Sequence, residues 1–317
     1  MYPSEIFEKK ILISPLNWGM GHVSRCIPLI KKLQHQNNKL IIACSKVQRE
    51  IIEAYVDSDV LFAHHDEYPF YFNGNGNFLL DSLLNLRECY KRHEMELFQV
   101  DELVKKFNAE IIISDHRYGF RNEKCISIFM THQLHLPLPW HLKLAQLWHK
   151  NQILKFDYQW IVDDKYKRLA GKLSDNKGFK NSRYIGLLSR FNECNYDKKT
   201  IYNGILIVSG PMEYYPSLFQ SFKRQLSSGE IDLIVGNDKA YEVFKTLNTR
   251  LKFHHSNDWN VTDKIMMQSK KIFGFCGYST LMDLNYLGCD AELIACRGQL
   301  EQLYLQKKVL RNSGLSN

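Results

Sequence analysis

Ile11-Leu12-Ile13-Ser14-Pro15-Leu16-Asn17-Trp18-Gly19-Met20-Gly21-His22-Val23-Ser24-Arg25 reads as a short apolar strand running straight into a glycine turn and then a helix. The unbroken apolar run predicts a strand covered on both faces, as in parallel sheets. The glycines allow a tight turn at the helix N-terminus, where backbone N–H groups can approach an anionic or polyhydroxylated ligand. The stretch is not a full dinucleotide fingerprint. Ser24 stands where a third glycine belongs, and the second strand ends in Cys44-Ser45 without the acid that would hold a ribose. NAD is therefore disfavoured. His22 sits at the mouth of the helix, where an imidazole can take a proton from a hydroxyl near neutral pH. A capping or packing histidine would give the same local pattern.

The alternation begun at residue 11 continues along the whole chain. Strands are predicted at 11–14, 40–44, 60–63, 111–114 and 126–130, then at 205–209, 231–235, 251–254, 271–275 and 292–295. Helices are predicted between them near 23–35, 46–56, 78–107 and 140–154, then 214–226, 239–248, 261–269, 279–287 and 299–310. Strands alternating with helices place the protein in the α/β class with parallel sheets. At roughly 150 residues per domain, 317 residues make about two domains. The stretch 173–203 is polar and broken by Gly178 and Gly186, so the connection is placed inside it. The expected domains are 1–185 and 186–317, two Rossmann-like doubly wound domains facing each other across a cleft.

Composition narrows the function classes. Hydrophobic residues at 44% and charged ones at 24% suit a folded globular protein rather than a disordered or fibrous one. Lys and Arg number 42 against 34 Asp and Glu, a net charge of +8, so an acidic partner is expected. The basic residues are spread out without a nucleic-acid-binding motif, which argues against nucleic acid and leaves lipid head groups or a sugar nucleotide's diphosphate. No apolar run reaches the roughly 18 residues of a membrane span. Met1-Tyr2-Pro3-Ser4-Glu5 opens no basic-then-apolar leader, so a cytoplasmic location is expected. Cys26, Cys44, Cys89, Cys125, Cys194, Cys276, Cys289 and Cys296 form no C-x-x-C pair and read as reduced, mostly buried thiols rather than zinc ligands.

Three further stretches carry polar chemistry. Ser114-Asp115-His116-Arg117-Tyr118-Gly119-Phe120 follows one predicted strand and Thr131-His132-Gln133 follows the next. Ligands bind beyond the C-terminal ends of such strands, so these residues are placed to line a site, or to bond within their loops. No G-x-S-x-G elbow surrounds Ser114, which argues against a serine hydrolase. The segment 136–156 lacks acids but holds Lys143, Lys150, Lys155, Trp140 and Trp148 among leucines, which fits either a helix lying on a membrane surface or an ordinary surface helix. In Gly274-Phe275-Cys276-Gly277-Tyr278-Ser279-Thr280-Leu281-Met282-Asp283, a strand feeds a turn that opens a helix. Ser279 and Thr280 are placed to cap it and present N–H donors to phosphate oxygens, with Asp283 one turn on, within reach of a ribose diol. Asp57-Ser58-Asp59 matches a metal-binding D-x-D, but it lies at a predicted helix-to-strand turn where paired aspartates are common.

Taken in order, several segments resemble bacterial glycosyltransferases of the family 28 type, relatives of the N-acetylglucosaminyltransferase that completes lipid II. They are Asn17-Trp18-Gly19-Met20-Gly21-His22 with Arg25, residues 114–120, Thr131-His132-Gln133-Leu134 and Ile185-Gly186-Leu187-Leu188-Ser189-Arg190. Ser209-Gly210-Pro211, residues 277–283, and Gly298-Gln299 with Glu301-Gln302 complete the set. The resemblance implies the GT-B architecture, an inverting mechanism, no cofactor beyond a UDP-sugar co-substrate, and no metal. It assigns Asn17, Gly19, Gly21, Arg25, Asp115 and His132 to the acceptor side, with His22 as the base. It assigns Arg190, Ser209 and Gly210 to the donor's uracil or diphosphate, Gly277, Tyr278, Ser279 and Thr280 to the phosphates, and Asp283 to the ribose. Gln299, Glu301 and Gln302 fall to the sugar hydroxyls. The implied partners are a UDP-sugar, most simply UDP-N-acetylglucosamine, and a lipid-linked or cell-envelope polysaccharide acceptor met at the inner face of the membrane.

The chain departs from the family pattern on the donor side. Met212-Glu213-Tyr214-Tyr215 replaces Glu-Pro-Gln-Arg, Phe275-Cys276 replaces Arg-Ser, Ala295-Cys296-Arg297 replaces Pro-Thr-Pro, and the C-terminal helices after Tyr304 are short. A UDP-sugar epimerase or hydrolase, or a non-catalytic partner protein built on the same shell, therefore stays open beside the transferase.

Overall fold

The structure is a computed structural model and describes residues 1–72, 78–192, 199–247 and 251–312. The chain packs as two compact units, Met1–Phe70 with Ser82–Arg190, and Tyr71–Asp81 with Phe191–Asn317. Relative to a single cut after residue 185, residues 186–190 group with the first unit and 71–81 with the second.

The first unit is built on strands β1 (Lys10–Pro15), β2 (Lys39–Cys44), β3 (Leu61–His64), β4 (Ile111–Asp115), β5 (Ile126–Thr131), β6 (Tyr158–Ile161) and β7 (Ser182–Tyr184). Its helices are α1 (Met20–Gln34), α2 (Lys46–Glu53), α3 (Phe78–Phe107, its first turn grouping with the second unit) and α4 (Lys143–Ile153). All neighbouring strands are parallel, in the order β3-β2-β1-β4-β5-β6-β7. Ile11, Leu12 and Ile13 are fully buried, as a central strand covered on both faces requires. Leu12, Ile41 and Ile112 pack against Val100 and Val104 of α3, and Phe129 packs with Ile153, Phe156 and Phe179. Burial of each such side chain contributes about 1.5–3 kcal/mol. β6 and β7 extend the sheet beyond the five strands that the sequence predicts for this half.

The second unit has strands β8 (Tyr202–Val208), β9 (Leu233–Gly236), β10 (Lys252–His255), β11 (Ser269–Phe275) and β12 (Asp290–Ile294), all parallel in the order β10-β9-β8-β11-β12. Its helices are α5 (Tyr215–Ser221), α6 (Lys223–Ser228), α7 (Asp238–Lys245), α8 (Trp259–Met267), α9 (Tyr278–Leu287) and α10 (Leu300–Asn312). The pleat sends successive β8 residues to opposite cores. Leu206 joins Tyr214, Leu218, Phe219 and Phe273, while Ile205 joins Ile265, Met266, Ile272 and Leu287. Side chains set the helix starts locally: Asn237 accepts from Ala240 N at α7, and Asp258 from Val261 N at α8.

The described cysteines are all free thiols, five of them buried, with Cys89 and Cys289 half-buried. Cys194 lies outside the described residues.

Candidate functional site

In a doubly wound sheet the loops part where the strand order reverses, and ligands bind in the crevice this opens beyond the strands' C-terminal ends. In the first unit the reversal lies between β1 and β4, because β2 and β3 follow to one side and β5 to β7 to the other. The register sets Pro15 beside Asp115 and Asp115 beside Met130, so the loops after β1, β4 and β5 start at one level. There the structure brings together His22, Arg25, Asp115 and His132.

Gly19 makes this geometry accessible. It precedes α1 with φ +118°, a conformation side chains rarely adopt, and so aims the first turn of α1 at the end of β4. Asn17 is spent on tying its loop to the one after β3: Nδ2 donates to Tyr68 O and Oδ1 accepts from Tyr68 N, both at 3.0 Å. His22 Nδ1 lies 2.9 Å from Asp115 Oδ2. Arg25 Nε donates to both Asp115 oxygens at 2.9 and 3.0 Å, Nη2 pairs closely with Oδ1, and Nη1 donates to His132 Nδ1 at 2.9 Å.

Burial works hardest on Asp115, against its charged form. The Arg25 charge and the His22 contact outweigh it and hold the carboxyl below the usual carboxylate range. Asp115 is therefore ionised. Arg25 Nη2 also lies 2.9 Å from His22 Nδ1. A bare lone pair facing an anionic oxygen would be the costlier arrangement, so Nδ1 carries its proton toward Asp115. Nε2 is left unprotonated on a side chain that is 18% exposed. Burial, then the Arg25 charge, lowers the His22 pKa, so the ring is neutral near pH 7 and competent as a base.

His116, which the sequence does not single out, completes the cluster. It adopts a left-handed φ of +63°, its ring meets that of His22 edge-on at 5.9 Å, and its Nδ1 lies 2.9 Å from Thr131 Oγ1. Non-glycine residues held in this region concentrate at functional sites. Burial pushes the His116 pKa well below the ordinary histidine value, so this ring is also neutral.

Arg190 is the last residue of the first unit, and its Nη1 donates to Ser24 Oγ on α1 at 2.7 Å. In the segment 136–156, Trp140 is 80% and Leu144 82% exposed, with Leu147, Trp148 and Lys143 also outward. His149 points inward, between Tyr118 Oη and Gln133 O. The side chain of His141 lies outside the described residues. No described helix is long and apolar enough to cross a membrane.

In the second unit the strand order reverses between β8 and β11. The exposed pair Ser209-Gly210 leaves β8, with Gly210 at φ +84°, and Tyr215 Oη donates to Gly210 O. On the other side β11 leads through Cys276 into α9. Here the sequence expectation is corrected: the N-cap is Gly277, extended at φ −80° and ψ 150°, a residue with no side chain to cap the helix. Ser279 and Thr280 lie inside the first turn because the chain is already helical from Tyr278. Tyr278 and Asp283 are buried and Ser279 and Thr280 half-buried. Gln299, Glu301 and Gln302 are half-buried around the start of α10, where Gln302 Oε1 accepts from Cys296 N at 2.8 Å. Residues after β8, β9 and β10, among them Gly210, Met212, Tyr215, Asn237 and Asn257, also line an open concavity of about 450 Å³. Among the described residues no group of three or more His, Cys, Asp or Glu side chains converges to hold a metal ion.

The sequence matches no protein-family model and no curated protein. Its structure is similar to that of the spinosyn rhamnosyltransferase SpnG, at TM-score 0.59 and 11% identity over 94% of this chain and 84% of that one. It is similar to the glycotransferase of kitacinnamycin, at TM-score 0.62 and 11% identity over 94% and 83%. It is also similar to S. aureus MnaA in complex with UDP, at TM-score 0.60 and 10% identity over 97% and 89%. At such identities the likeness is one of fold, and the fold is that of the GT-B glycosyltransferases.

Proposed function

We propose that the chain is an inverting glycosyltransferase of the family 28 type that moves a sugar from a UDP-sugar, N-acetylglucosamine in the first instance, to a lipid-linked or cell-envelope polysaccharide acceptor without a metal. The observation that carries this reading is the His22–Asp115 pair at the strand-order reversal of the first unit. Solved structures of the same fold with UDP or thymidine diphosphate bound support the donor class.

In this reading His22 Nε2 takes the proton of the acceptor hydroxyl as its oxygen attacks the anomeric carbon. The bond from that carbon to the diphosphate oxygen breaks on the opposite side, inverting the configuration, and UDP leaves with the electron pair. His22 becomes cationic, and Asp115 stabilises the charge through Nδ1–H, as a buried aspartate does for a catalytic histidine elsewhere. The resemblance assigns Gly277, Tyr278, Ser279 and Thr280 to the diphosphate. The N-terminus of α9 offers donors and a positive dipole end for the charge developing on it. Arg190, Ser209, Gly210, Asp283, Gln299, Glu301 and Gln302 keep the donor roles that the resemblance gives them. The outward tryptophans, leucines and lysine of 136–156 suit a protein resting on an anionic membrane surface at the cytoplasmic face, where a lipid-linked acceptor would be met.

The test is incubation with UDP-N-acetylglucosamine and a panel of lipid-linked and polysaccharide acceptors in chelator-treated buffer. Transfer with inversion supports the reading. UDP release without a glycosylated product favours the hydrolase, and no turnover with any acceptor contradicts the enzyme.

A further inference from the structure

Below the candidate base lies a second buried carboxylate that the mechanism does not use. Glu96, on α3, is fully buried, and both its oxygens are taken up. Oε1 accepts from Arg117 Nε at 2.6 Å and His65 Nε2 at 3.1 Å. Oε2 accepts from Tyr68 Oη at 2.5 Å and Gly119 N at 3.1 Å. The fit leaves no slack, since a Cβ on Gly119 would come within 2.7 Å of Glu96 Oε2 and of His93 O.

Arg117 and Gly119 belong to the segment that carries Asp115, and Tyr68, on the loop after β3, grips the segment that carries His22. Tyr68 is the residue whose backbone N–H and C=O grip the Asn17 side chain, two residues before the Gly19 turn into α1. Arg117 lies two residues after Asp115. Its guanidinium also reaches Pro15 O at 3.5 Å and Asp66 O at 2.7 Å, and it lies over the Tyr68 ring at 5.0 Å. The Arg117 backbone closes a turn on Ser114, with N donating to Ser114 Oγ at 3.1 Å while that hydroxyl donates to Arg117 O at 2.5 Å. Between Asp115 and Arg117 stands His116 in its left-handed conformation.

We propose that Glu96 is a positioning residue that fixes the His22–Asp115 pair by clamping the β1–α1 loop through Tyr68 and the turn after β4 through Arg117 and Gly119. The clamp holds charge as well as shape. Burial acts most strongly and against ionisation, yet the Arg117 charge and the bonds from His65 and Tyr68 bring the Glu96 pKa down to about 2. Burial keeps His65 neutral, and burial together with the Glu96 charge keeps Tyr68 protonated, so each donates a neutral hydrogen bond. The catalytic part of the proposal rests on the reading of His22 as base, whereas the geometric part does not.

Glu96→Gln tests it. A carboxamide keeps the size but presents an N–H₂ group to one of the two donor pairs, so one arm must let go. Misplacement of catalytic groups by about 1 Å lowers turnover by about 10²-fold, so kcat is expected to fall to that extent with donor KM unchanged. The acid limb of the pH profile should move with it. In ¹⁵N-histidine NMR the wild-type His22 ring should be the Nδ1–H tautomer, and the variant should show a mixture and a shifted titration. A folded Glu96→Gln protein with the His22 tautomer and titration unchanged would overturn the proposal. If that variant does not fold, Tyr68→Phe, which removes one hydroxyl, decides in the same way: a shifted His22 titration supports the clamp and an unchanged one overturns it. The NMR result stands apart from turnover, so a clamp that moves the tautomer in a protein without transferase activity would count against the function alone.

Discussion

Replacing His22 with alanine is expected to lower sugar transfer by about 10²–10⁴-fold, the range a positioned general base supplies. The substitution removes Nε2 from the acceptor hydroxyl but leaves Arg25 paired with Asp115. The buried ion pair therefore survives, and the melting temperature should move little. Donor affinity should also hold, because the residues assigned to the nucleotide lie chiefly on the loops after β8 and β11 and on α9 and α10, while the first-unit member, Arg190, bonds Ser24 rather than His22. Rates of UDP release and glycosylated product, measured beside UDP affinity, separate these effects. Transfer at the wild-type rate would remove His22 from the chemistry.

Asp115→Asn should be more damaging, because in the proposed mechanism one carboxylate serves both catalysis and folding. The amide no longer compels Nδ1 to carry the proton, and loss of the correct tautomer in such a pair lowers turnover by as much as about 10⁴-fold. It also leaves the Arg25 guanidinium buried without its counter-charge, a defect of about 3–5 kcal/mol. Thermal melts across pH read the same physics. Asp115 and Glu96 titrate lower in the folded chain than unfolded, so their contribution is complete above the unfolded values of about 4 and is lost as pH falls through the folded ones. His22, His65, His116 and His149 are also lowered, His149 to about 4 and chiefly by burial. Below about pH 6.5 the unfolded chain binds protons that the folded chain refuses, so stability falls with pH from there downward. The melting temperature should be flat from about pH 7 to 8, fall above that because buried thiols such as Cys26 and Cys44 stay protonated in the folded chain but ionise on unfolding, and drop steadily toward pH 4. In Asp115→Asn the whole curve should lie lower. A wild-type melting temperature that rises on acidification below about pH 7 would contradict this account.

The order of elements was legible because the central strands are apolar runs and the turns between them carry glycine. β6 and β7 were not. Tyr158-Gln159-Trp160-Ile161 is interrupted by the polar Gln159, and Ser182-Arg183-Tyr184 is a short polar edge strand inside a stretch that reads as a connection. That 71–81 groups with the second unit has no counterpart in the periodicity. His22, Arg25, Asp115 and His132 were each visible as polar residues beyond strand ends. Their convergence was not, because parallel register alone brings residues about a hundred positions apart to one level. Glu96 gave no signal. It stands among Glu88, Glu94, Asp101 and Glu102 on a long helix, where a run of acids reads as a solvated face, and only the fold shows that this one turns inward to Arg117. His116 stood in the same polar run as Asp115 but drew no role, since a left-handed φ on a histidine leaves no trace in composition or spacing.

The central claim is that this chain recognises a uridine diphosphate sugar. Its most direct test is isothermal titration of the purified protein with UDP in chelator-treated buffer, with a nicotinamide nucleotide as control, repeated on Asp283→Ala. The account predicts saturable UDP binding that manganese does not strengthen, that Asp283→Ala weakens, and that the nicotinamide nucleotide does not reproduce. Absence of UDP binding, or equal binding of the nicotinamide nucleotide, would contradict it.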